Sequence, residues 1–79
     1  MQVQLKLIDI FRDFLPPGSC FSDCRLEFPE KAAIGDIFLR LAIPDDLPRM
    51  VFCNGRPADE HQLLTDGDAV AIFSPIFGG

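Results

Sequence analysis

Within 79 residues the apolar period of this chain changes from two to about 3.6 and back to two, and few small folds satisfy that order. From Gln2 to Ile8, the apolar Val3, Leu5 and Leu7 alternate with the polar Gln2, Gln4 and Lys6, the period of a half-buried strand. From Ala33 the spacing of Ile34, Ile37, Phe38 and Leu41 becomes i, i+3, i+4, i+7, with Asp36 and Arg40 four apart on a flank. This predicts one short amphipathic helix, ended around Ala42 and Ile43 because Pro44 pushes the preceding residue out of helical geometry. At Ala69 to Phe73 the period of two returns, with Val70 and Ile72 alternating against Ala69, Ala71 and Phe73, and Pro75 stops the strand.

Two shorter strands complete the reading. Cys24, Leu26 and Phe28 alternate with Arg25 and Glu27 after the turn Pro16-Pro17-Gly18-Ser19, so the first two strands form an antiparallel hairpin with a long connection. Met50 to Cys53 follows the linker from Pro44 to Pro48 and closes on Asn54-Gly55, a dipeptide that accepts the positive φ of a tight turn. Residues 56 to 64 read as irregular, held to the core by Leu63 and Leu64, before the turn Asp66-Gly67-Asp68. The order strand, strand, helix, strand, strand fits an α+β domain with one helix across a mixed sheet, and the β-grasp is the compact fold with that order. The first and last strands form its parallel central pair. The domain is expected over residues 1–74, with a flexible tail over 75–79.

Composition narrows the partners. Hydrophobic residues make up 48% of the chain, including eight Phe, which suits one ordered core. Seven Lys and Arg against twelve Asp and Glu give a net charge of -5 with no basic cluster, so nucleic acid is not an expected partner. No apolar run approaches the roughly 18 residues that span a bilayer, and the N-terminus lacks a basic stretch leading into a long apolar one. No membrane association is expected, and the expected location is cytoplasmic.

The usual chemistry-bearing patterns do not occur. Asp45-Asp46, Asp59-Glu60 and Asp66/Asp68 fall where turns are expected, His61 has no identifiable nucleophile beside it, and no P-loop, GxGxxG or HExxH is present. Cys20, Cys24 and Cys53 read as free thiols, with a Cys20–Cys24 bridge or a metal held with His61 as the alternative. No metal site and no bound cofactor are expected.

What remains is the end of the chain. Ser74-Pro75-Ile76-Phe77-Gly78-Gly79 leaves the last strand through a proline, carries two apolar residues that gain nothing in water, and ends on the narrowest backbone available. Such a tail can be threaded, extended, into a tight channel. The strand alternation also places Ile8, Met50, Phe52 and Phe73 together on the sheet face away from the helix, a candidate docking patch close to where the tail leaves.

The run from Leu64 to Gly79, with Asp66-Gly67-Asp68, the apolar strand, Phe73, Pro75 and Gly78-Gly79, resembles the C-terminal signature of the MoaD/ThiS family of ubiquitin-like sulfur carriers. Phe73 and Pro75 are closest to the molybdopterin synthase small subunit, MoaD, although Ser74 stands where a first proline is common there. The resemblance implies a non-catalytic carrier, with Gly79 as the site of chemistry and Pro75, Ile76, Phe77 and Gly78 as the tail that delivers it. A partner adenylyltransferase related to ubiquitin-activating enzymes (MoeB/ThiF-like) would use ATP and Mg to activate the carboxylate. A sulfur donor such as a cysteine desulfurase or rhodanese would then convert it to a thiocarboxylate, and a MoaE-like large subunit would receive it for molybdenum or tungsten cofactor synthesis. A ThiS-like carrier for thiamine thiazole, or a ubiquitin-like modifier joined through Gly79, is the alternative.

Overall fold

A computed structural model describes residues 1–19 and 21–75 of the chain. Five strands, β1 (Gln2–Leu7), β2 (Asp23–Glu27), β3 (Met50–Cys53), β4 (Arg56–Pro57) and β5 (Ala69–Phe73), form one sheet in the order β2-β1-β5-β3-β4. β1 and β5 run parallel as expected, with Leu5 level with Val70 and Leu7 with Ile72, and the other pairs are antiparallel. The inward residues Val3, Leu5, Leu7, Val70 and Ile72 are buried against Ile34, Ile37 and Phe38. Ile37 and Phe38 belong to α1 (Gly35–Leu41), the one α-helix among the described residues, and Ile34 is its N-cap.

α1 starts one residue later than its apolar period suggests and ends with that period at Leu41. It begins at Gly35, whose N–H donates to the Glu60 carbonyl at 2.9 Å, and a Cβ there would approach that oxygen to 3.3 Å. It ends because Ala42 turns into the left-handed region (φ 57°, ψ 38°) and sends its N–H back to Leu39 and Phe38, one residue before any effect of Pro44 on Ile43. Asp36 and Arg40 are not used as an intrahelical pair. Asp36 accepts from the Ala33 N–H at 2.8 Å, and Arg40 reaches the Glu27 carbonyl at 2.7 Å across the Phe28 ring.

Two elements go beyond the sequence reading, and one anchor is corrected. The β1–β2 connection contains a 3-10 helix, Asp9–Phe14, whose Phe11 is fully buried and closes one end of the core. Arg56–Pro57 forms the two-residue edge strand β4, where a proline is tolerated because its missing N–H faces no inner neighbour. Leu64 is buried, whereas Leu63 is 61% exposed: the Ala33–Leu63 bridge turns successive side chains to opposite sides, so only one of the two can reach the core.

Candidate functional site

The outer face of the sheet is set by the β5 alternation. With Val70 and Ile72 in the core, Ala69, Ala71 and Phe73 face away from α1. Antiparallel pairing sets Met50 opposite Phe73 and Phe52 opposite Ala71. Because Ala71 is only a methyl group, the Phe52 ring can lean diagonally onto Phe73, with centroids 5.5 Å apart and planes tilted by 36°. Met50 is 41% exposed beside them. Ile8 enters the same end of the sheet: its N–H donates to the Ile72 carbonyl at 3.0 Å, one step beyond the Leu7–Ile72 pair and level with Phe73. All four residues named from the sequence therefore lie on or beside one end of the sheet. Ile8 stands apart in one respect, since it is also the N-cap of the 3-10 helix.

Beside the aromatic pair lies an open trough of about 440 Å³, floored by Ala69 and Ala71 and flanked by Phe52, Phe73, Gln4 and Lys6. The two polar walls were not singled out from the sequence. The signal was present, because the β1 alternation puts Gln4 and Lys6 outward and the parallel register sets them level with Ala69 and Ala71.

The tail begins at this end. Ser74 is buried and Pro75 half-buried, directly after the residue paired with Met50. Ile76, Phe77, Gly78 and Gly79, expected to form the tail and its reactive end, lie outside the described residues.

Asp59, Asp66 and Asp68 serve the backbone of turns and strand ends. Asp68 is buried and accepts from the Thr65 N–H at 2.8 Å and from Asn54 Nδ2 at 2.9 Å, while Asn54 Oδ1 accepts from the Ala69 N–H at 3.0 Å. Asp66 accepts from the Gln2 N–H at 2.7 Å, and Asp59 from that of His61 at 2.7 Å. Among the described residues no group of three His, Cys, Asp or Glu is placed to hold a metal ion. Cys24 and Cys53 are free thiols, and Cys20 lies outside the described residues. Burial pushes both described thiols up from their ordinary value. At Cys24 a hydrogen bond from Ser19 opposes that rise, and at Cys53 the Asp68 carboxylate reinforces it.

Arg49 is a structural cation that sequence reasoning passed over. Its guanidinium lies 4.3 Å over the Phe38 ring, and it donates to the carbonyls of Leu47 and Pro44, so it ties the linker after α1 to the helix.

The chain matches no protein-family model and no curated protein. Solved structures match over nearly its whole length. SAMP1 from Haloferax volcanii superposes with a TM-score of 0.75 at 22% identity, covering 100% of both chains. A putative molybdopterin converting factor, subunit 1, from Pyrococcus furiosus gives 0.74 at 24% identity, covering 94% of this chain and 97% of that one. The chain has the β-grasp fold of these proteins. The β-grasp domain also matches, with a TM-score of 0.66 and 15% identity over 100% of both chains, a structure of subunits 1 and 2 of molybdopterin-converting factor in complex, from Helicobacter pylori 26695. No helix among the described residues of the β-grasp domain is long and apolar enough to cross a membrane.

Proposed function

We propose that this chain is a sulfur carrier whose Gly79 carboxylate is activated and converted to a thiocarboxylate by partner enzymes, most directly for molybdenum or tungsten cofactor synthesis. The observation that carries the proposal is the placement of the tail root. Pro75 follows central strand β5 beside the exposed Met50 and the half-buried Phe52 and Phe73, so a partner that covers this face would be in position to receive Gly78-Gly79. The shared fold of the molybdopterin converting factor subunits, one of them solved in complex with its subunit 2, supports that partner class.

The chemistry divides between carrier and partners. A carboxylate is a poor acyl donor. The partner adenylyltransferase, with ATP and Mg, joins it to AMP and releases pyrophosphate. The terminal sulfur of a persulfide on the desulfurase or rhodanese then attacks the acyl carbon and AMP leaves. A thiol cleaves the resulting acyl disulfide, forming a disulfide with the donor's cysteine and leaving the sulfur on Gly79 as the thiocarboxylate. This chain contributes the acyl group, the narrow tail and the docking face. With a cognate adenylyltransferase, the full chain should support ATP–pyrophosphate exchange and the Gly79-deleted chain should not, both keeping the same circular dichroism spectrum. Equal exchange by both would remove Gly79 from the reaction.

A second reading rests on the equally close fold of SAMP1, which belongs to the small archaeal modifier proteins. The same activated carboxylate could be passed to a lysine amine to form an isopeptide. Adducts ending in Gly78-Gly79 on target lysines in cells would favour that reading over the carrier.

A further inference from the structure

β2 is the longer of the two edge strands of the sheet, and its outward groups can be assigned individually. Phe28 donates to the Met1 carbonyl at 2.9 Å and the Met1 amine donates back at 2.9 Å, while the Leu7 N–H donates to Ser22 at 2.8 Å. With the register Val3–Leu26 and Leu5–Cys24, the alternation of an antiparallel ladder gives Ser22, Cys24, Leu26 and Phe28 the bonds to β1. The N–H and C=O groups of Asp23, Arg25 and Glu27 point away from the sheet, and their side chains are exposed. One of these groups is already occupied, because Arg40 donates to the Glu27 carbonyl. Pro16 to Ser19 flank this strand across an open groove of about 450 Å³.

An exposed edge of this kind is a template for another strand. We infer that the β2 edge pairs with β2 of a second copy of this chain, antiparallel and centred on Cys24. Charge and the Arg40 contact select that register. Centring on Arg25 would set Arg25 against itself and Asp23 against Glu27, like charges directly opposed. Centring on Leu26 would need the Glu27 carbonyl held by Arg40 and would put Pro29, without an N–H, opposite Asp23. Centring on Cys24 sets Asp23 of each copy opposite Arg25 of the other, and these four residues exchange the main-chain bonds. Leu26 then meets Ser22, and Glu27 is left to Arg40. Each copy carries a net charge of -5, so the copies repel at a distance and the dimer is weak. At physiological ionic strength the screening length is about 8 Å, which damps that repulsion while contact pairs persist. The pairing is independent of the sulfur-carrier reading, because β1 separates β2 from the strand that bears the tail.

Sedimentation of the full chain from micromolar to millimolar concentration tests this directly. A concentration-dependent dimer is expected. Arg25→Asp or Asp23→Arg alone should return it to monomer with an unchanged melting curve, and the two together should restore it. In a chain with Cys20→Ser and Cys53→Ser, oxidised glutathione should trap a Cys24–Cys24 dimer. Two thiols lose two protons and two electrons, glutathione disulfide is reduced to two thiols, and one new disulfide joins the copies. The directly opposed, non-hydrogen-bonded position has a Cα separation of about 4.5 Å, within disulfide range. A monomer at every concentration overturns the inference and leaves the edge to a different polypeptide. A dimer indifferent to both charge reversals also overturns it and places the interface elsewhere.

Discussion

Phe52 and Phe73 hold their rings 5.5 Å apart across β3 and β5, on the face opposite the helix, and Phe73 lies two residues before Pro75. The contact joins the proposed docking face to the root of the tail, so a partner that covered the rings would also fix where the tail starts. Both rings are half-buried in the free chain, so truncating either removes less buried surface than truncating a core ring. Phe52→Ala or Phe73→Ala should therefore cost about 1 kcal/mol of folding free energy. Either should weaken binding to the cognate adenylyltransferase by about tenfold or more, as expected for an aromatic anchor. Calorimetric titration beside thermal unfolding separates the two. Unchanged affinity would move the docking face elsewhere.

Phe11 makes the opposite case. It is fully buried in a 3-10 helix packed on β1 and β5, so Phe11→Ala should cost about 3–5 kcal/mol. The exposed Leu63→Ala should stay within about 0.5 kcal/mol of wild type. Denaturant titration measures both.

The Asp68 clasp couples the β3 turn to the turn before β5. Asp68→Ala removes the acceptor for Thr65 and Asn54 and should cost about 1.5–3 kcal/mol. Asn54→Ala leaves one Asp68 oxygen without that donor. A double-mutant cycle over the two should show a coupling of about 0.5–3 kcal/mol, the range for contacting partners, and additivity would deny the clasp.

The thiols give a pH dependence. Burial raises Cys24 and Cys53 above their ordinary value of 9.0, so the unfolded chain loses these protons first as pH rises. Between the unfolded and the raised folded values, the folded state binds more protons and stability falls with increasing pH. Below that window the thiols contribute no slope. Cys53→Ala should remove part of the alkaline decline seen in chemical denaturation above pH 9.0 and leave the neutral-pH slope unchanged.

The sequence revealed the elements whose apolar period is strong and whose context agrees with it. Val3, Leu5 and Leu7, then Ile34, Ile37 and Phe38, then Val70 and Ile72 state the sheet, the helix and the covered face directly. The 3-10 helix did not show, because in Asp9 to Phe14 only Phe11 turns fully into the core and one buried residue defines no period. The helix end around Ala42 was legible but its cause was not, because a left-handed alanine carries no signature in the sequence, unlike a glycine in that position. At the proposed docking face, the outward placement of Met50, Phe52 and Phe73 followed from alternation. The closeness of the two rings depended on the register that sets Phe52 against the small Ala71, which strand assignment by itself does not supply.

The central claim concerns one atom, an oxygen of the Gly79 carboxylate. The full chain incubated with ATP, Mg, a sulfide source and the cognate adenylyltransferase, then weighed intact, should gain the mass difference of one sulfur replacing one oxygen. Fragmentation should place the change on Gly79, and omission of ATP should abolish it. An unchanged mass under conditions where the adenylate demonstrably forms, or a sulfur carried on a cysteine instead, would contradict the account.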